Sequence, residues 1–244
     1  MARSRPAAKR TLSRRALEEA LTSLADPARA ASHAWFFKTG KGQYGEGDRF
    51  LGIRVPAMRK VALRFRSLPL SDIKRLLASP LHEHRFVALE ILVSRYEQGS
   101  GEEQREIYDF YLRHTARINN WDLVDTSAPY IVGEHLLSRP RDVLYEMARS
   151  PSLWERRIAI VSCLTFVKRG DTADAFRLAE LLLADKHDLM HKAVGWVLRE
   201  TGKVSRPDLL GFIKSQYTAM PRTTLRYAIE HFPPEQRKRL LAGG

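Results

Sequence analysis

Alanine recurs at nearly even intervals from residue 88 onward, each time inside an apolar segment of helical length. The four alanines are Ala88, Ala159, Ala193 and Ala228, and they are separated by 71, 34 and 35 residues. The first interval is about twice the other two, so the pattern predicts one further copy near residue 124, where Val124 takes the alanine position. A chain that repeats a helical unit every ~35 residues is typical of a solenoid, in which each unit buries its apolar face against its neighbours.

The segments that carry these alanines share one outline, because each opens near Ser-Pro or another polar residue. Their ranges are 79–99, 150–170, 185–203 and 217–233, and "NNWDLVDTSAPYIVGEHLL" (119–137) fills the missing copy. Two further helices are predicted upstream, one over 13–25 with Ser13 as its N-cap and one over about 56–66. Hairpin turns and sustained alternation of apolar and polar residues are missing from the sequence. We therefore expect an all-α fold, an α-solenoid of HEAT-like helical repeats.

Basic residues dominate the charge of the chain. Lys and Arg number 41 against 28 Asp and Glu, which gives a net charge of +13 and a pI near 10.1. This excess favours a polyanionic partner, nucleic acid before an anionic membrane surface, and the alternative is a solubilising charge without a partner. Stacked repeats curve, so we expect a concave basic groove in a single domain over residues 12–244. Residues 1–11 are expected to form a flexible basic arm that contacts phosphates.

Several classes of site and location are disfavoured by the sequence. Cys163 is the only cysteine and lies in an apolar run, which predicts a buried thiol and excludes an intrachain disulfide or a cysteine-rich zinc site. The eight histidines are scattered without a convincing third ligand, so we expect no metal and no cofactor. No window approaches the ~18 apolar residues that span a bilayer, and the basic start has no apolar core. The expected location is cytoplasmic and nucleoid-associated, without a membrane partner.

One position in the missing copy departs from its equivalents. The residue after each alanine is branched and apolar, namely Leu89, Ile160, Val194 and Ile229, whereas Asp125 follows Val124. A carboxylate at an otherwise apolar position is costly unless it is solvated or paired. We therefore predict a functional role for Asp125. The alternative is an alignment shifted by one residue, or a later helix start, which would leave Asp125 as a capping or surface residue.

Three other residues share the expected neighbourhood of Asp125. Trp121 lies one helical turn before it, and Arg157 and Trp196 occupy related positions in the following copies. Core packing accounts for a single tryptophan and a structural ion pair for a single arginine, but the four together on a basic face indicate a site. A carboxylate beside aromatic faces suits a developing cation, such as the oxocarbenium formed when a glycosidic bond breaks. A lone carboxylate suffices only where the leaving group departs readily.

Four stretches of the sequence stand out as motifs. They are "FFKTGKGQYGEGDRFLGIRVPAMRKVA" (36–62), "INNWDLVD" (118–125), "WERRIAI" (154–160) and "KAVGWVLRE" (192–200). In this order they resemble the AlkD-type DNA alkylation repair proteins, which are HEAT-like-repeat DNA glycosylases, and the resemblance covers about residues 12–235. It implies excision of N3- and N7-alkylated purines such as 3-methyladenine and 7-methylguanine, whose positive charge makes them good leaving groups.

The resemblance also implies roles for single residues. Asp125 matches the catalytic aspartate of that family, and Trp121 and Trp196 match the tryptophans that frame the deoxyribose of the lesion. Arg157 matches the arginine that contacts the DNA backbone nearby. The resemblance further implies catalysis without flipping of the base into a pocket. Some related proteins keep the fold and DNA binding but lack glycosylase activity.

The glycine-rich segment "KTGKGQYGEGDRF" (38–50) lacks the spacing of a nucleotide-binding P-loop. We predict that it contacts DNA through Lys38, Lys41 and Tyr44, with a purely structural loop as the alternative, and that Arg156 and Lys192 add further contacts. The expected function is a monofunctional, metal-free glycosylase that acts as a monomer on double-stranded DNA containing alkylated bases. The alternatives are a non-catalytic binder of damaged or branched DNA and a protein-interaction scaffold.

Overall fold

The structure, a computed structural model, describes residues 12–243, and the predicted basic arm at residues 1–11 lies outside this span. Within it the chain forms 14 α-helices and no β-strand, apart from an isolated bridge between Arg49 and Leu81. None of the described helices is both long and apolar enough to cross a membrane. The chain divides into two compact units between Ser94 and Arg95. The predicted all-α fold of helical repeats is confirmed.

The boundary between the two units falls within the fifth helix. The helices up to that point are α1 (Arg14–Thr22), α2 (Pro27–Phe36), α3 (Val55–Arg64), α4 (Leu70–Leu77) and α5 (His82–Gln98). The second unit continues with α6 (Gly101–Arg113), α7 (Trp121–Asp125), α8 (Asp142–Ala148), α9 (Leu153–Val167), α10 (Ala173–Leu182), α11 (Asp188–Val204), α12 (Arg206–Gln216), α13 (Arg222–Ala228) and α14 (Pro234–Ala242). A short 3-10 turn at Thr115–Arg117 precedes α7, and a π-helical turn at Pro129–Gly133 follows it.

Serine side chains cap several helix starts. The hydroxyl of Ser13 accepts a hydrogen bond from the Ala16 amide at 3.2 Å, and the hydroxyl of Ser152 accepts one from the Glu155 amide at 3.4 Å. Each bond satisfies one of the backbone N–H groups that the first turn of a helix leaves without a partner. The predicted N-cap at Ser13 is therefore confirmed.

The repeated alanine positions are buried in both units. The four alanines and Val124 are each at most 1% exposed. In the second unit α7, α9, α11 and α13 pack side by side in chain order, and α8, α10 and α12 pack against them as a second layer. Each helix thus buries its apolar face on its neighbours, as repeated helical units must. The predicted copy at Val124 is confirmed.

The most deeply buried helix is α9, in which every residue from Arg157 to Val167 is buried. Cys163 lies in this stretch, and burial raises the pKa of its thiol above the ordinary value. The thiol therefore stays protonated at neutral pH, where a thiolate would be required for nucleophilic or metal-binding chemistry. The predicted burial of this cysteine is confirmed.

Buried polar side chains order the end of the glycine-rich loop between α2 and α3. The carboxylate of Glu83 accepts hydrogen bonds from the amides of residues 51–53, at 2.9, 2.8 and 3.3 Å. Asp48 forms an ion pair with Arg85 at 2.6 Å and lies 3.1 Å from Nδ1 of His82. Buried charges that satisfy each other and the backbone fix the path of the chain. This end of the loop therefore has a structural role in the first unit.

Gly195 lies where α11 packs against α13. A β-carbon at this position would approach the Tyr227 β-carbon to 2.5 Å and the Thr224 carbonyl oxygen to 2.7 Å. We predict that Gly195→Ala lowers the free energy of unfolding by about 1–3 kcal/mol, because the two helices would have to separate. Urea denaturation measures this change.

Gly211 on α12 provides the matched control, since no atom outside the local helix backbone lies within 4 Å of a β-carbon added there. Gly211→Ala should raise the free energy of unfolding by about 1 kcal/mol, because alanine has the higher helix propensity. If the two variants shifted stability equally, the close approach of α11 and α13 at Gly195 would be contradicted.

Candidate functional site

Asp125 is the last residue of α7, a single turn of helix. The side chain of Asn120 caps this turn, because its oxygen accepts a hydrogen bond from the Trp121 amide at 2.8 Å. Leu123 and Val124 are fully buried, so the turn is docked by its apolar residues. The helix begins at Trp121, and Asp125 directly follows the buried Val124. The helix thus starts before Asp125, and the alternative of a later helix start is wrong.

Arg157 on α9 holds the carboxylate of Asp125 with two parallel hydrogen bonds. Its Nε donates to Oδ1 at 2.9 Å and its Nη2 donates to Oδ2 at 2.7 Å. The side chains of Arg157 and Asp125 are 6% and 19% exposed. The remaining nitrogen, Nη1, donates to the carbonyl of Leu189 in the first turn of α11, at 2.7 Å. One guanidinium therefore connects α7, α9 and α11, in the bidentate geometry that arginine favours with carboxylates.

Burial dominates the electrostatics of Asp125. It raises the pKa of the carboxyl above the ordinary value, while Arg157 opposes the rise and the nearby Asp122 adds to it. A carboxyl whose pKa is higher in the folded than in the unfolded protein contributes stability below its ordinary pKa. That contribution is lost as the pH rises through the raised value. At neutral pH the folded protein therefore depends on Arg157 to offset the buried negative charge.

Two buried hydroxyl groups stabilise α7 through hydrogen bonds. The hydroxyls of Tyr111 and Ser127 lie 2.9 Å apart, and the Ser127 hydroxyl donates to the Leu123 carbonyl at 2.5 Å. Burial raises the pKa of Tyr111, so this phenol remains protonated. These two residues were not predicted to support the site. The sequence carries little sign of the contact between Tyr111 and Ser127, because these residues are 16 positions apart in the chain.

The two tryptophans lie on the helices that Arg157 connects. Trp121 is half-buried at the start of α7, one turn before Asp125. Trp196 is half-buried on α11, seven residues beyond Leu189. Of the four predicted site residues, the structure brings Asp125 and Arg157 into direct contact. Trp121 lies on the same short helix as Asp125, and Trp196 lies about two turns beyond Leu189 on α11, with neither side chain fully buried.

The loop residues predicted to contact DNA lie in the first unit. Lys38 has a left-handed backbone, with φ 54°, and its Nζ lies 4.6 Å from the centre of the Trp35 ring. The Tyr44 hydroxyl donates to the Phe36 carbonyl at 3.5 Å. Lys41 is exposed. Lys38 thus contacts the exposed Trp35 near the end of α2, while Lys41 is exposed in the loop itself.

Arg156 and Lys192, the other two residues predicted to contact DNA, are both engaged within the second unit. The Arg156 guanidinium donates to Asp185 at 2.6 Å and to the carbonyls of Ser150 and Pro151 at 3.0 and 2.9 Å. Lys192 forms an ion pair with Asp188 at 2.7 Å on the exposed side of α11. Arg156 therefore orders the turn before α9, whereas the ammonium group of Lys192 stays accessible.

Metal ligation does not account for these side chains. Within the span that the structure describes, no three or more His, Cys, Asp or Glu side chains are grouped so that they could hold a metal ion. The candidate site is thus the paired carboxylate and guanidinium of Asp125 and Arg157, with the rings of Trp121 and Trp196 predicted to complete it. Such a set can bind an anion through the guanidinium or stabilise a cation through the carboxylate and ring faces.

The structure is thus an all-helical repeat protein in which the carboxylate at the end of α7 is paired with an arginine on α9. The chain belongs to the DNA alkylation repair enzyme family, whose model matches residues 17–232. Its class of function is therefore the repair of alkylated DNA. The fold is similar to that of a predicted DNA alkylation repair enzyme from Enterococcus faecalis, with a TM-score of 0.68 and 16% sequence identity over 86% of this chain and 97% of that one. No curated protein matches the sequence.

We predict that Arg157→Met lowers the free energy of unfolding by about 3 kcal/mol at neutral pH, because it leaves a buried carboxylate without its counter-ion. The loss should shrink at acidic pH, where Asp125 is protonated. The double variant Asp125→Asn/Arg157→Met should recover most of the stability, since no buried charge remains. Denaturation of the wild type, both single variants and the double variant gives the coupling energy. Strictly additive effects would contradict the pairing.

Proposed function

We propose that the protein is a monofunctional DNA glycosylase that hydrolyses the N-glycosidic bond of N3- and N7-alkylated purines, such as 3-methyladenine and 7-methylguanine. The observation that carries the proposal is the buried, arginine-paired carboxylate of Asp125 in a member of the DNA alkylation repair enzyme family. The enzyme acts as a monomer on double-stranded DNA in the nucleoid and starts base excision repair there. It requires no metal and no cofactor.

The base is a good leaving group because alkylation at N3 or N7 puts a positive charge on the purine. The bond between C1′ and the purine nitrogen breaks with both electrons going to the base, which leaves as a neutral molecule. C1′ then has oxocarbenium character, which the carboxylate of Asp125 stabilises electrostatically. Asp125 also orients the water that adds to C1′. Loss of one proton from that water completes the abasic product.

Trp121 and Trp196 frame the deoxyribose of the lesion. An aromatic face attracts a nearby cation by ~0.5–2 kcal/mol, and the transition state has more positive charge on the sugar than the substrate has. Trp121 opens the same turn that ends at Asp125, so the ring and the carboxylate share one rigid element. The half-buried position of both tryptophans leaves part of each ring accessible to a sugar.

Arg157 couples DNA binding to the state of Asp125. In the free protein its guanidinium is shared between the Asp125 carboxylate and the Leu189 carbonyl. A DNA phosphate next to the lesion competes for the same donors, because phosphate and carboxylate both fit the bidentate geometry of arginine. When part of the guanidinium hydrogen-bonds to the phosphate instead, it neutralises less of the Asp125 charge. More of that negative charge then acts on the sugar. Lys38, Lys41, Tyr44 and Lys192 add contacts to the backbone.

A non-catalytic binder of damaged or branched DNA is the second candidate. It is favoured by the same ion pair, since Arg157 neutralises the Asp125 carboxylate in the free protein. In a non-catalytic binder, Arg157 and Asp125 stay paired with each other when DNA is bound. The protein then recognises only the distortion of the DNA backbone. The two candidates differ in whether the base is released.

We predict that Asp125→Asn lowers the single-turnover release of 7-methylguanine from methylated duplex DNA by about 10²–10³-fold, because the charge that stabilises the transition state is lost. Asp122→Asn, on the same turn of helix, is the matched control and should stay within a few-fold of the wild type. Chromatography of the free base measures the release. Equal release by Asp125→Asn and wild type would contradict the role of Asp125, and no release by either would favour the binder.

The pH dependence of excision gives a second test. The carboxylate is the active form, and burial raises the pKa of Asp125, so the rate should fall as the pH drops through that raised value. Arg157→Met removes the opposing charge and should move this fall to higher pH. The release must be corrected for spontaneous depurination at each pH. A rate that stayed flat across the acidic range in both proteins would exclude Asp125 as the titrating group.

A further inference from the structure

Positive charge is concentrated in the first unit of the chain. Residues 1–94 contain 18 Lys and Arg against 8 Asp and Glu, whereas residues 95–244 contain 23 against 20. The net charge is therefore +10 for the first unit and +3 for the second. The unit that holds Asp125 and Arg157 is thus close to electrically balanced, and the charge that attracts a polyanion lies mostly in the other unit.

Within the first unit the excess of basic over acidic side chains is greatest between Asp48 and Asp72. Residues 49–71 contain six cations and no carboxylate. All six are exposed, and they are Arg49, Arg54, Arg59, Lys60, Arg64 and Arg66. Helix α3 occupies the middle of this stretch, so a rigid element presents part of the charge.

Helix α3 buries one side and presents cations on the other. Met58, Val61 and Ala62 are buried against the core. Lys60 and Arg64 are four residues apart, which stacks them one turn from each other on the opposite side. Like charges at this spacing repel each other. Neither forms an ion pair with a carboxylate in the described part of the chain, whereas their neighbour Arg59 pairs with Glu90 at 3.1 Å.

We propose that this surface anchors the protein on the sugar-phosphate backbone of duplex DNA and carries most of its lesion-independent affinity. The α3 face is defined by Lys60 and Arg64, with Arg54 before them and Arg66 after them. The first unit then holds the duplex electrostatically, while the second unit contains the carboxylate that acts on the sugar. The inference rests on the proposed function only in its choice of DNA as the polyanion.

The packing of α3 favours a nucleic acid over an anionic membrane. A helix that lies on a membrane buries its apolar face in lipid, but the apolar face of α3 is already in contact with the core. Two large apolar residues of this helix are exposed to solvent: Leu63 is 58% exposed and Val55 is 40% exposed. Phosphate contacts on duplex DNA require only exposed cations that reach the backbone.

The test compares two charge-matched double variants of the full-length protein. Lys60→Gln/Arg64→Gln removes two cations from the α3 face, and Arg113→Gln/Lys214→Gln removes two exposed cations from α6 and α12 in the second unit. Both pairs consist of one lysine and one arginine, and none of the four residues forms an ion pair in the described part of the chain. Binding of an undamaged duplex is measured by fluorescence anisotropy over a series of salt concentrations.

We expect the α3 variant to bind undamaged duplex about tenfold more weakly at low salt. Its log–log salt dependence should become shallower by about 1.8, which corresponds to two lost phosphate contacts. The control pair should change neither quantity appreciably. In single-turnover release of 7-methylguanine, the α3 variant should need more protein than the wild type to reach its maximal rate, because it binds the duplex more weakly. Circular dichroism establishes that both variants keep their helix content.

Equal binding and equal salt slopes for the two variants would overturn the inference, whether or not the wild type excises bases. Binding of the wild type to phosphatidylserine vesicles, lost in the α3 variant without a change in duplex binding, would also overturn it in favour of a membrane. Conversely, a shallower slope for the α3 variant in a protein that releases no base would support this anchor while the proposed glycosylase activity fails.

Discussion

The ion pair between Asp125 and Arg157 is the interaction on which the candidate site depends. Its carboxylate stands where the equivalent positions of the other repeats are apolar and buried, so it needs a counter-ion to be tolerated at neutral pH. The guanidinium satisfies both carboxylate oxygens and still reaches the Leu189 carbonyl. Three helices thereby meet at one side chain. The guanidinium N–H groups that bind the carboxylate in the free protein can also donate hydrogen bonds to a DNA phosphate.

Much of the fold follows from the spacing of small residues in the sequence. A helix that packs against its neighbours in every repeat favours a small apolar side chain at the recurring position, and Ala159 and Ala193 are both buried. The sequence did not predict that α7 has a single turn or that Pro129–Gly133 forms a π-helical turn. That turn is supported by the Thr165 hydroxyl, which donates to the Pro129 carbonyl at 2.6 Å from a separate helix. Such long-range contacts leave no local pattern.

The candidate site was predictable where a residue breaks a pattern and unpredictable where it depends on a distant partner. Asp125 was found because it interrupts a column of apolar residues. By contrast, Arg156 and Arg157 look alike in the sequence, and only the rotation of α9 separates them. Arg156 donates to the Ser150 carbonyl six residues earlier, as Arg85 does to the Ser79 carbonyl, so this shared spacing was a usable sign of a structural role. The run of six cations around α3 was equally visible in the sequence.

The central claim is that Asp125 stabilises positive charge on the sugar, and the most direct measurement is one of binding. Duplexes that contain a cationic pyrrolidine analogue of the abasic sugar can be compared with duplexes that contain the neutral tetrahydrofuran analogue. A site built for an oxocarbenium ion should bind the cationic analogue at least tenfold more tightly, since transition-state analogues bind 10²–10⁸-fold tighter than substrates. Asp125→Asn should lose this preference while it still binds the neutral duplex. Equal affinity of the wild type for both analogues, or a preference that survives Asp125→Asn, would contradict the account.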